Sequence, residues 1–259
     1  MKLFRPSFTS LKQHKRLVVV IFSVLVVVAG FTYVVWSKQQ WDQYQPAYTA
    51  QQASIKTSIA KLAAAPTVTD TEKKSIRESL QETSLLVDKT QATMCQVNPL
   101  MAWQESLVAL LRKEREQCQQ QAAKLGDFSI QLQESVAFLQ DDAAITKLFS
   151  GVAQPDEVAD TAWGTQVTAW QATGAAIEKL TVSQDFKPVK QLAIQKVAAV
   201  ATAWQGVVAA HEAKDKQKYL VAQAELSKAY DGLDEVAVKV TGSISTLASD
   251  TQKSYQAAF

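Results

Sequence analysis

Twenty consecutive residues, Leu17 to Trp36, pass without a charged side chain in the run LVVVIFSVLVVVAGFTYVVW, and nothing else in the chain limits its fold so strongly. At 1.5 Å per residue a helix of this length covers about 30 Å, the thickness of a bilayer's hydrocarbon core. Only Ser23, Gly30 and Thr32 interrupt the hydrocarbon. The expectation is a single-pass transmembrane helix over 17–36 that anchors the protein in the plasma membrane, with 1–16 as a short tail on one side and a large domain on the other.

The flanks orient it. Lys2, Arg5, Lys12, Lys15 and Arg16 precede the run with no acid among them, whereas Lys38 and Asp42 open the far side. The positive-inside rule puts the basic tail in the cytoplasm and the large domain outside it. Tyr33, Trp36 and Trp41 fall where an outer aromatic belt would lie at the membrane interface. A cleavable signal peptide is the rival reading, with Val27 and Ala29 as small residues before a cut at Gly30. Against it, the apolar run continues to Trp36, longer than the roughly 7–15 residues of a signal core. Gly30 has no small partner four residues away, so the span carries no GxxxG reason to dimerise.

From Ser37 onward the chain holds 22 Lys and Arg, 27 less the five before the span, against all 25 Asp and Glu, a net of −3. That leaves no basic field for nucleic acid. Seven glycines and five prolines are few for this length, and Ala, Gln, Lys, Glu and Leu abound, which favours long helices over sheets. The expected fold is all-α: an N-terminal transmembrane helix, then an extracytoplasmic array of about five or six long antiparallel helices with coiled-coil-like seams. The array divides into a membrane-proximal region, 37–150, and a C-terminal antiparallel three-helix bundle, 151–259.

Trp41, Tyr44, Tyr48, Ile55, Ile59 and Leu62 recur at helical spacing, so a first helix leaves the membrane, with Pro46 as its hinge and Pro66 as its stop. Thr69 to Glu72 reads as a capping box that opens a second helix, in which the hydroxyl accepts from the glutamate's amide and the carboxylate reaches back. Asn98 and Pro99 form another start signal. The stripe beyond them persists through Cys118, Leu125, Phe128 and Leu139, so the spacing predicts one rod to about Phe149, with a break at Gly126 as the alternative. Trp163, Val167, Trp170, Ile177 and Leu180 mark a further helix that breaks between Ser183 and Pro188. Val189, Val197, Trp204 and Val208 mark the next. Asp215 caps a last helix whose stripe runs from Tyr219 to Leu247 without interruption.

No catalytic, metal or nucleotide motif appears, and no cofactor is expected. Cys95 and Cys118 face an oxidising compartment in this topology and are a candidate disulfide. If the third helix begins at Pro99, Cys118 lies about 28 Å along it, too far for the four residues back to Cys95 to span. A bent region with an intrachain bond, free thiols, and pairing between chains all remain open. His211 is the one histidine of the outer domain and reads as a partly buried group near a helix end. Asp141-Asp142 and Asp234-Glu235 are adjacent, hence on different helical faces, and read as solvated. Trp103, Trp163, Trp170 and Trp204 could form a sugar-stacking platform, but their places on the apolar stripes favour core. The single Asn, Asn98, precedes a proline, so there is no N-glycosylation acceptor, which fits a bacterial envelope.

A basic tail, one span and an external helical array resemble bacterial division scaffolds and the periplasmic bundles of chemoreceptors, in architecture and without a shared motif. Two functions follow from the pattern. One is a structural or interaction protein, a scaffold or adaptor of the cell envelope that binds a protein partner or itself. The other is a ligand-binding sensory domain, which would need a separate membrane partner because sixteen residues cannot hold a signalling output. An enzyme is not expected.

Overall fold

Each stretch of helical periodicity that can be followed becomes a helix in the computed structural model, which describes residues 28, 31, 32, 35, 51–94, 109–152 and 162–259. Residues 51–64 form α1, and Pro66 ends it, as Ala65–Thr67 tighten into a 3-10 turn. There follow α2 (Asp70–Met94), α3 (Ala109–Phe149), α4 (Trp163–Lys179), α5 (Lys187–Glu212), α6 (Lys216–Asp231) and α7 (Asp234–Ala258). Among the described residues there is no strand.

The ends are set by local chemistry. At α2 the capping box is complete: Thr69 donates its backbone N–H to Glu72 Oε2 at 2.9 Å, and the Glu72 amide donates to Thr69 Oγ1 at 3.4 Å. The backbone and then the hydroxyl of Thr69 hold the Glu72 carboxyl below its ordinary value. Asp215 Oδ1 accepts from the Lys218 amide at 3.1 Å and caps α6. Gly126 does not break α3. A methyl there would come within 2.7 Å of Gln91 Nε2 on α2, so glycine allows a close approach in mid-helix.

The stripe from Tyr219 to Leu247 is not one helix, because Gly232 and Leu233 stand between α6 and α7. Both keep right-handed helical torsions, φ −64° with ψ −21° and φ −67° with ψ −28°. The ladder there shortens to three-residue bonds, Leu233 to Tyr230 and Val236 to Leu233. Lys196 of α5 stands beside this 3-10 step, its ammonium 2.6 Å from Glu235, and its Cδ would lie 3.5 Å from a methyl at Gly232.

The sharp turn between α5 and α6 uses Lys214 at φ 52°, where the Asp215 amide reaches back to the Ala210 carbonyl at 3.2 Å. A side chain in this left-handed region costs about 1–2 kcal/mol. Lys214→Gly is therefore expected to stabilise the protein by about 0.5–1 kcal/mol after the entropy glycine adds to the unfolded chain. A thermal melt that falls instead of rising would refute this account of the turn.

The chain divides into two compact units, Met1–Ala53 with Val97–Lys113, and Ser54–Gln96 with Glu114–Phe259. In the first, Val28, Phe31, Thr32 and Val35 are helical and exposed, and the Thr32 hydroxyl donates to the Val28 carbonyl at 2.8 Å. Tyr33, Trp36, Trp41 and Pro46 lie outside the described residues.

In the second unit, α1, α2, α3 and α7 make an antiparallel four-helix arrangement. Ser58 of α1 bonds Ser79 and Thr83 of α2, Ser84 of α2 bonds Ser129 of α3, and Ser135 of α3 bonds Thr251 of α7. Ile59 and Ala63 of α1 face Ser245 and Ala248 of α7 across a shallow open groove, which closes the ring. Helices α4, α5 and α6 form a second layer, with α5 between its neighbours. The two sets meet where Phe186, just before α5, packs edge-on against Phe138 of α3, centroids 4.8 Å apart.

Among the described residues α5 is the one helix long and apolar enough to cross a membrane. Its stripe, Val189, Ala193, Val197, Val200, Trp204 and Val207, is nevertheless buried in this core.

Candidate functional site

The richest convergence of side chains lies within α4, α5 and α6. Trp170 and Trp204 are buried, and both indole N–H groups donate to one acceptor, the Tyr230 hydroxyl, at 3.0 and 3.1 Å. The sequence places these three on separate helices at core positions, and an indole that is buried needs such an acceptor. Burial pushes the Tyr230 phenol up, against the pull of the two donors. This is a packing device, and Trp170 and Trp204 are core and not platform. Trp163 is buried too, stacked on Tyr219 at 5.6 Å with the His211 ring edge-on at 5.0 Å. Trp103 lies outside the described residues. His211 itself is exposed rather than partly buried; it is the backbone of the α5 end, not the imidazole, whose bonds the structure gives, the His211 carbonyl accepting from the Lys214 amide.

Asp141 and Asp142 face different ways, as adjacency on a helix requires, but Asp142 is not solvated. It is buried and takes the Lys73 ammonium at 2.9 Å, while Asp141 accepts from the Ser183 amide and hydroxyl at 2.8 and 2.7 Å. Local spacing could not foretell this pair, since Lys73 stands 69 residues earlier. Asp234 and Glu235 are exposed, Glu235 against Lys196.

A polar seam also escaped sequence reading. Ser58, Ser79, Thr83, Ser84, Ser129, Ser135 and Thr251 run through the four-helix interior in hydroxyl pairs 3.0 to 3.2 Å apart. Ser129 continues the seam to the Asp88 carboxylate, which Gln133 also approaches. Ser58, Thr83 and Ser135 are each also within bonding distance of a carbonyl of their own helix, those of Ser54, Ser79 and Gln131. Every hydroxyl thus has a partner, so the seam fixes helix register without leaving a group for chemistry.

Of the candidate disulfide, Cys118 is disulfide-bonded on α3, and Cys95 lies outside the described residues. Among the described residues no group of three or more His, Cys, Asp or Glu is placed to hold a metal ion. Large apolar side chains stand exposed at Leu85, Ile130, Leu220, Val221 and Val238. No protein-family model matches the chain, and neither a curated protein nor a solved structure matches it.

Proposed function

We propose that the protein is a membrane-anchored helical adaptor of the cell envelope, held by residues 17–36, whose large helical domain stands outside the cytoplasm and binds other proteins. The observation that carries the anchor is the helical Val28, Phe31 and Val35, which are 52%, 70% and 46% exposed in the longest uncharged run of the chain. Helical residues three, four and seven apart share a flank, and hydrocarbon is the solvent that suits such a flank. The Thr32 hydroxyl, turned back on the Val28 carbonyl, carries no unmet bond into lipid. For the adaptor role the support is a core filled by side chains that bond one another, which leaves recognition to the surface.

A C-terminal tag on intact cells is expected to be removed by external protease, with the protein remaining in the membrane fraction at its full 28.4 kDa. The charge asymmetry about the run supports this orientation. A soluble product beginning near Gly30, or a tag reached only after the cells are opened, would overturn it.

A further inference from the structure

Among the exposed apolar side chains, Leu85 and Ile130 differ from the rest in being brought together by two helices. Leu85 on α2 is 64% exposed and Ile130 on α3 is 53% exposed. Each follows by one residue a member of the Ser84 and Ser129 hydroxyl pair that joins the helices. A one-residue step turns a side chain by about 100°, and because the helices are antiparallel the two turns carry Leu85 and Ile130 to the same flank. The preceding residues confirm the geometry, since Thr83 turns to α1 and Phe128 to Tyr255 of α7, which puts the bundle on the other side.

One heptad further along, this outward flank continues in small apolar residues. Ala92 and Ala123 lie seven residues from Leu85 and Ile130 at one end, both exposed, and Ala137 lies seven from Ile130 at the other. The strip is therefore about two heptads long, the size of a short helix's apolar stripe. Its edges are acidic. Glu78, Glu82 and Asp127 are exposed along it and Glu134 is half-buried, while Lys89 is the cation between them and Lys74 and Arg77 stand at the Glu78 end of α2. A second copy of the same flank would bring carboxylates against carboxylates, which disfavours self-pairing.

We propose that this α2–α3 flank docks a basic amphipathic helix of another protein, its apolar stripe over Leu85 and Ile130 and its lysines or arginines against the flanking carboxylates. The inference deepens the adaptor reading and takes its partner from it, but not its membrane topology.

The test uses the full chain in detergent micelles and a synthetic leucine–lysine amphipathic helix as the probe, with its leucine–glutamate counterpart as control. The lysine peptide is expected to bind, to protect α2 and α3 amides around Leu85 and Ile130 from hydrogen exchange, and to weaken with added salt. Leu85→Asp with Ile130→Asp, and separately Glu82→Lys with Glu134→Lys, should each weaken binding at least about tenfold, whereas Val238→Asp should leave it unchanged. Leu85, Ile130, Glu82 and Val238 are exposed and Glu134 is half-buried, and an unchanged far-ultraviolet spectrum checks that the variants fold. Equal binding of the glutamate peptide, protection elsewhere, or loss of a dimer on the Leu85 and Ile130 changes would overturn the proposal. None of these outcomes depends on which side of the membrane the domain occupies.

Discussion

Replacing Trp204 by alanine is expected to destabilise the protein by about 3–5 kcal/mol, the range for deleting a buried tryptophan from a close-packed core. The side chain is 1% exposed and its indole is fixed by the Tyr230 hydroxyl, so little of the cavity can collapse. Tyr230→Phe separates the two contributions. It keeps the ring but removes the acceptor shared by Trp170 and Trp204, leaving two buried N–H donors unmet at about 1–3 kcal/mol each, less whatever relaxation recovers. Chemical denaturation followed by circular dichroism gives both values. If Trp204→Ala melts like the parent, the indole belongs to no core and the account of α4, α5 and α6 fails.

Lys73→Ala should cost about 3 kcal/mol, near the low end for breaking a buried ion pair. The loss comes from what remains: the Asp142 side chain is 7% exposed and its carboxyl group would have no ammonium beside it. Because Lys73 retains 21% exposure, water replaces part of the interaction, which sets the value at the low end. A Lys73→Met, Asp142→Leu double variant should recover most of the stability, since an apolar pair of similar volume leaves no charge in the interior. A double variant as unstable as the single one would show that the pair also positions the helices.

Which of these features the sequence disclosed follows from how far apart in the chain their causes lie. The Thr69–Glu72 box, the Asp215 cap and the stop at Pro66 depend on residues three or four apart, and all are legible. Stripes at helical spacing likewise disclosed that Trp163, Trp170 and Trp204 are inside. Periodicity says which face of a helix is buried, but not against what. The Lys73–Asp142 pair, the hydroxyl seam and the common acceptor at Tyr230 each join residues tens of positions apart, and serine or threonine on an apolar face looks the same in sequence whether it is paired or solvated. Gly232 was missed for another reason. Its torsions stay helical and the stripe passes through it unbroken, so only the ladder of hydrogen bonds reveals the step.

The place of α7 has a consequence for the order in which the protein can be completed. Contacts among α4, α5 and α6 close over short distances in the chain, with Trp204 and Trp170 only 26 and 60 residues from Tyr230. The four-helix part cannot close so early, because Ser135 finds Thr251 across 116 residues and Gln121 finds the Ala258 carbonyl across 137. Longer closures carry a larger entropic cost, though it grows only slowly with length. Until residue 251 has been synthesised, α1, α2 and α3 are without their fourth wall, and Ile59 and Phe128 have no α7 to cover them. During that interval the unfinished chain leaves apolar surface of α1 and α3 uncovered, the condition under which incomplete chains associate wrongly.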